Sequence, residues 1–360
     1  MAFSRGILAN KPLPDLLCLG YYDRQPEFAS APRRAAPVAT VCGRVRIGSG
    51  ALLGPSSVMR GDGHDIRIGD DFFLGERSTV HVAHEALPTT IGSGVTVGAN
   101  AALRACSVGD RCVLEDNVVV LEGAVIGAGV ALERGSLVPA GAQLVPGHLY
   151  RGNPAAPVRA LESGELALLR GRVRNAPLSE SAIVPPGPAN AAAARREAWT
   201  GFVALTAQVE GRLEMAHDAS IWFGARIDGG HHGISVGEGS NLQDNCTAYA
   251  MASPLEIGEG VTVGHNVSLQ DCRIGSHSMV GMSSFVAAGT VIEGDVVLAA
   301  GSITLPRQVL GTGWLWGGRP ARALSPLTAE TRRQVQDSAR IYRDYLKGFR
   351  QSIADFTDLG

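Results

Sequence analysis

Aromatic side chains are scarce in this chain, at 5% of 360 residues, so a core built on large rings is excluded. Disulfide chemistry is equally thin. The six cysteines, at 18, 42, 106, 112, 246 and 272, form no CxxC pair and no dense framework, which suits reduced thiols in the cytoplasm. No Lys/Arg run interrupts a net charge of −2, so no basic stripe exists to follow a phosphate backbone, and nucleic acid is excluded as a partner. No apolar stretch approaches a membrane span, and Pro12, Pro14 and Asp15 break up the N-terminal segment that a signal peptide would need. The expectation is a cytoplasmic protein without a membrane partner.

Glycine and short aliphatic residues are plentiful instead. The chain carries 46 glycines, and from residue 90 an aliphatic residue recurs every sixth position: Ile91, Val97, Leu103, then Val108, Leu114, Val120, then Ile126, Leu132, Val138, Leu144. The series returns as Ile257, Val263, Leu269, Ile274, Val280, Val286, Ile292 and Leu298, at a constant offset of 166 (257 − 91, 274 − 108, 292 − 126). Upstream, Ile47, Leu53, Met59, Ile68, Leu74 and Val80 match Met215, Ile221, Ile227, Val236, Leu242 and Ala248 at an offset of 168 (215 − 47, 248 − 80). A two-residue deletion therefore falls in one loop, HVAHEALPTT against YAMASPLE.

A period of six fits neither the 3.6 of a helix nor the 2 of a simple strand. It fits short strands wound around a coil, one aliphatic side chain per strand pointing inward and stacking on the next coil, with Gly and Asn supplying the turn angles at the corners. The expected fold is an all-β solenoid of two tandem parallel β-helix domains with a C-terminal α-helix. The boundaries read as an N-terminal extension over 1–36, a first coil over 37–160, a short helix and Pro/Ala-rich linker over 161–199, a second coil over 200–325 and an amphipathic helix over 326–360. Thr328 is the expected N-cap of that helix, and Val335, Ile341, Tyr342, Tyr345, Leu346 and Phe349 form its packing face.

The stretch SVMRGDGHDIRIGDDFFLGERSTVHVAH followed by IGSGVTVGANAALRACSVGD resembles the γ-class carbonic anhydrase signature. ISVGEGSNLQDNCTAYA followed by IGEGVTVGHNVSLQDCRIGSHSMVGMSSF resembles it a second time. The resemblance covers nearly all of 37–350 and implies left-handed coils, a trimer, and zinc held by three histidines, the first and third from one subunit and the second from its neighbour.

At those three positions the first copy has His81, Ala99 and Arg104, and the second has Tyr249, His265 and Gln270. The family's Arg-Gly-Asp element survives as Arg60 and Asp62 but is Asp228 and Gly230 in the second copy; its Gln-Asp pair survives as Gln243 and Asp244 but is Gly75 and Glu76 in the first. Each half lacks what the other keeps. A mixed site of His81 and Arg104 with His265, Gln243 and Asp244 is the resulting expectation, with the two histidines as ligands of one Zn or Fe ion if a metal binds, and His84, Cys246 or a carboxylate as a third.

Catalytic zinc needs three protein ligands and an open position, which two histidines and an arginine do not supply. A guanidinium about 4 Å from a cation costs roughly 4 kcal/mol per unit charge at an effective dielectric near 20. The metal-free alternative places His81 and His265 as proton carriers, Tyr249, Gln243 and Asp244 as assisting groups, and Arg104, Arg60, Asp62 and Gln270 as substrate contacts. The reading is a homo-oligomeric enzyme acting on a small, anionic metabolite by lyase, hydration or cyclisation-type proton transfer. A coenzyme A-dependent acyltransferase of the hexapeptide class and a non-catalytic structural subunit are the rivals. Cys106 and Cys272, matched between copies, read as packing residues, and His64, His217, His231, His232 and His277 read as exposed.

Overall fold

The computed structural model describes residues 16–178 and 201–357. The expected linker over 179–199 and the first part of the N-terminal extension lie outside the described residues. The chain forms two compact units, Met1–Pro185 with Gly348–Gly360, and Pro186–Lys347.

Each unit is a left-handed parallel coil with three faces, and the six-residue period maps onto them directly. In the first unit one face stacks Leu74, Val97, Leu114 and Leu132, the next stacks Val80, Leu103, Val120 and Val138, and the third stacks Ile68, Ile91, Val108, Ile126 and Leu144. Because the rungs lie in register, every inward side chain meets its own kind one coil away, and all of these residues are buried. At about 1.5–3 kcal/mol per buried aliphatic side chain, this column is the main favourable contribution to the coil. The second unit repeats the pattern with Leu242, Val263, Val280 and Leu298 on one face and Val236, Ile257, Ile274, Ile292 and Leu310 on another.

Corners demand left-handed backbone. Asn100 and Asn117 in the first unit and Asn245 and Asn266 in the second take φ between 56° and 59°, the conformation that asparagine tolerates better than most residues. The long strand Val58–Ile68 turns a corner, pairing with Thr79–His81 on one face and Thr89–Ile91 on the next. Each coil ends in an antiparallel return, His148–Arg151 with Ala156–Ala160 and Trp314–Gly318 with Ala321–Pro326, which occupies the last open edge.

The first coil begins earlier than expected. Leu16–Leu19, Glu27–Phe28 and Arg34–Ala35, assigned from sequence to an extension, pair in parallel with Ala39–Ile47 and Leu52–Leu53. These short strands lack the six-residue rhythm, so only their hydrogen bonds reveal them as rungs.

Helix α1, Glu165–Arg174, lies against the first coil through arginines: Arg174 bonds Thr96 and Asp71, and Arg170 pairs with Asp71. Helix α2, Ala329–Thr357, is capped by the Thr328 hydroxyl, which accepts the Thr331 N–H at 3.1 Å. Val335, Tyr342, Tyr345, Leu346 and Phe349 are buried as its pattern predicts, and Ile341 is half-buried. Among the described residues, no helix is long and apolar enough to cross a membrane.

Candidate functional site

In the first unit the strand register sets Cys42, Arg60, His81 and Arg104 side by side on successive rungs of one face. Arg60 and Asp62 are two residues apart on one strand, and their side chains are wholly buried in an ion pair with each other. Arg60 Nε donates to Asp62 Oδ2 at 2.9 Å, while Asp62 Oδ1 lies 2.9 Å from His81 Nε2 and accepts the Gly63 N–H. One carboxylate thus serves a guanidinium and an imidazole together. Burial alone would raise the Asp62 pKa, but Arg60 and His81 overcome it and hold the carboxyl far below its ordinary range.

Phe349, from the last turns of α2, lies with its ring 5.5 Å from the Arg60 guanidinium and 5.1 Å from the Tyr21 ring. Gly348 leaves room for that arrangement, because a Cβ there would fall 2.3 Å from Tyr21 Cε2. Burial and the nearby Asp62 carboxylate push the Tyr21 hydroxyl well above its usual pKa. Tyr21 has no sequence signal as a neighbour of this cluster.

Arg104 differs from Arg60 in kind. Its side chain is 35% exposed, and Nη1 donates to Glu122 Oε2 at 2.8 Å one rung away, with Glu122 itself 46% exposed. An exposed pair of this sort contributes about 0–1 kcal/mol, whereas removing one partner of a buried pair such as Arg60–Asp62 costs about 3–5 kcal/mol. Arg104 is therefore free to exchange partners and Arg60 is not.

In the second unit the matching face carries Asp228, Tyr249 and Gln270 in register. Asp228 and Tyr249 are half-buried and Gln270 is exposed; Asp228 Oδ1 accepts the Gly230 N–H rather than an arginine. The polar cluster lies at a different corner. Asp244 and His265 occupy matching positions on adjacent rungs, both buried, with Asp244 Oδ2 3.2 Å from His265 Nδ1 and Oδ1 accepting the Phe223 N–H. The other ring nitrogen, Nε2, is 3.5 Å from the Tyr342 hydroxyl of α2. Trp222, fully buried, sits 5.2 Å from the Tyr342 ring and 5.3 Å from the Phe202 ring, so an aromatic wall backs the tyrosine that meets this histidine. Gln243 is buried beside Asn241, at 3.4 Å.

Tyr342 read from sequence only as a packing position; its hydroxyl gives it a polar role that the helix period cannot show. The reverse holds for Arg60 and Asp62, expected as substrate contacts but fully buried against each other. His64, expected to be exposed, is half-buried within Val58–Ile68, where its Nδ1 accepts the Asp65 N–H. His217, His231, His232 and His277 are exposed. Cys106 and Cys272 are buried in the two cores, and burial pushes both thiols up to about 12, as packing residues require.

The first unit has also closed the corner that carries histidine in the second. Ala99 stands where His265 does, its N–H bonded to Asp116 at 3.0 Å. Gly75 stands at the Gln243 position, and a Cβ there would lie 2.4 Å from the Gly98 carbonyl carbon. Neither unit by itself presents three histidines. In the first, His81 Nε2 is engaged by Asp62 and the third ligand position is a guanidinium; in the second, both nitrogens of His265 face side chains of the same unit. Among the described residues no three His, Cys, Asp or Glu side chains gather as a metal-binding group. The residues of one unit do not fit a three-histidine zinc site.

Comparison with known proteins agrees with this architecture. The model of the hexapeptide repeat of succinyl-transferase matches residues 65–105, 88–122 and 272–304. The mitochondrial gamma carbonic anhydrase 2 of Arabidopsis thaliana is 34% identical over 148 residues, 39% of this chain and 53% of that protein. The carbonic anhydrase of Geobacillus kaustophilus is 30% identical over 151 residues, 42% of this chain and 81% of that protein. A crystal structure of a hexapeptide transferase family protein from Anaplasma phagocytophilum is 37% identical, covering 42% of this chain and 89% of that one, with a TM-score of 0.40. The chain spans about half the length of the plant relatives it matches. With the Geobacillus carbonic anhydrase 30% identical and matched over 81% of its length, and with a hexapeptide coil as its fold, the chain belongs to the γ-carbonic anhydrase-like family.

Proposed function

We propose that this protein is an enzyme, derived by duplication from a γ-carbonic anhydrase-like ancestor, that moves a proton on a small anionic substrate in a lyase, hydration or cyclisation-type reaction. The observation that carries this reading is that each unit holds one buried histidine against one buried carboxylate, His81 on Asp62 and His265 on Asp244. A carboxylate beside one ring nitrogen holds the imidazole in place, as a proton-carrying side chain requires.

Arg104 is the anion handle in this reading, because its guanidinium is partly exposed and held by a single exchangeable partner. Arg60 is a positioning residue acting through Asp62, and Tyr342, Gln243, Tyr249 and Gln270 shape the second unit's share of the chemistry. No step is routed through a metal. Six cysteines outside any disulfide support the cytoplasm as its compartment. The resemblance to trimeric coils supports a homo-oligomer, which light scattering reads directly.

Proton transfer is measurable before the full reaction is known. Incubating the protein in deuterated water with a panel of small carboxylates, and following loss of C–H signals by proton NMR, is expected to find a substrate that exchanges. His81→Ala and His265→Ala should each slow that exchange by about a hundredfold or more. Exchange that persists in both variants sinks this assignment. Turnover of coenzyme A thioesters without carbon-acid exchange would instead establish the acyltransferase, and silence in both assays the structural subunit.

A further inference from the structure

The sequence offers no reason to notice Glu122, which lies in the turn after Val119–Val120, one rung beyond Arg104. We propose that Glu122 is a built-in placeholder for the substrate's carboxylate, occupying the Arg104 guanidinium until a ligand displaces it and thereby setting how tightly an anion must bind. This rests on the assignment of Arg104 as the anion handle.

Three observations carry it. The Glu122 carboxylate presents to Arg104 the same chemical group that the proposed substrate would bring, through one hydrogen bond at 2.8 Å from Nη1, and among the described residues no carboxylate engages the second terminal nitrogen. Both side chains are over one-third exposed, Arg104 at 35% and Glu122 at 46%, so solvent and solutes reach the pair. His81 is Arg104's neighbour in register on the rung opposite Glu122, so the guanidinium stands between its placeholder and the strand that carries the imidazole. The contrast with Arg60 is decisive, since that guanidinium is sealed with Asp62 and has no such exchange open to it. Recognition of a free carboxylate by two guanidinium nitrogens exceeds a single exposed contact in geometry and strength, which gives displacement its direction.

The test uses the full chain, with malonate as probe and the Arg104 Nε–H resonance in nitrogen-15 NMR as readout, assigned with Arg104→Lys. Glu122→Gln keeps the side chain's shape and removes its charge, and it is expected to tighten malonate binding about threefold to tenfold. Arg104→Met should abolish binding, scored in that variant by calorimetry, and calorimetry should reproduce the Glu122→Gln change. If malonate binds and needs Arg104 but Glu122→Gln leaves the affinity unchanged, the placeholder is wrong and the anion handle stands. If Arg104→Met binds malonate as the unaltered protein does, or if neither the unaltered protein nor Glu122→Gln binds it, the anion handle falls and the placeholder with it.

Discussion

The two units share one coil and one period, yet they hold their histidines by different means. The first fixes His81 with charge, a buried carboxylate shared with Arg60. The second sets His265 between a carboxylate 3.2 Å from Nδ1 and a tyrosine hydroxyl 3.5 Å from Nε2, with Trp222 packed against that tyrosine. Position 222 shows how far the copies have diverged, because its counterpart in the first coil, at an offset of 168 (222 − 54), is Gly54, where a Cβ would come within 2.7 Å of the Glu76 nitrogen. A coil of this period tolerates wholesale change at its corners while its inward column stays fixed. Specialisation therefore proceeds corner by corner, with little disturbance to the fold.

The sharpest way to break that comparison is to remove the first unit's carboxylate. Asp62→Ala takes the carboxylate away from the buried Arg60 guanidinium and should cost about 3–5 kcal/mol in urea unfolding. Asp228→Ala, its neighbour in kind on the second unit, loses a half-buried contact to one N–H and should cost about 1 kcal/mol. Equal losses at the two sites would mean that the units are not held differently after all. Nearly as large is the effect expected of Trp222→Ala, about 3–5 kcal/mol from a cavity in the second unit, accompanied by loss of near-ultraviolet circular dichroism from its aromatic cluster. A change below about 1 kcal/mol would show that the aromatic wall is decoration.

Acid sharpens the contrast by a smaller amount. Because the folded pKa of Asp62 is depressed, its contribution to stability is complete above the unfolded value near 3.8 and is lost as pH falls below that value toward the folded one. The slope from this one group cannot exceed about 1.4 kcal/mol per pH unit. Asp62→Asn should flatten the acid limb of the stability curve, and an unaltered limb would remove Asp62 from the account of how the first unit is held.

Sequence alone went far toward the coil and much less far toward the sites. The inward column was legible because a period of six repeats over many rungs, so Leu114 or Ile274 could be placed inside from spacing alone. The opening strands near Leu16 were not, since two or three residues carry no period. His81, Arg104 and His265 were found through the resemblance to the γ-class carbonic anhydrases, as two kept histidines and one substituted position among its three ligand positions. The partners that decide their chemistry, Glu122 for Arg104 and Tyr342 for His265, were hidden because they arrive from another rung or from a helix, where spacing along the chain says nothing about proximity. Arg60 and Asp62 were recognised as a pair, but burial, which assigns them a positioning role, has no sequence signature.

The ring of Phe349 against Arg60 has a consequence for the order in which the protein matures during synthesis. Each rung of the first coil bonds to the rung just made, as Val113 does to Thr96, so that coil can wind as the chain leaves the ribosome. The covering of Arg60 cannot keep pace, for its ring comes from Phe349, 289 residues further along the chain (349 − 60). A ribosome stalled before residue 348 would therefore hold a wound first coil whose most buried ion pair still lacks the ring that covers it.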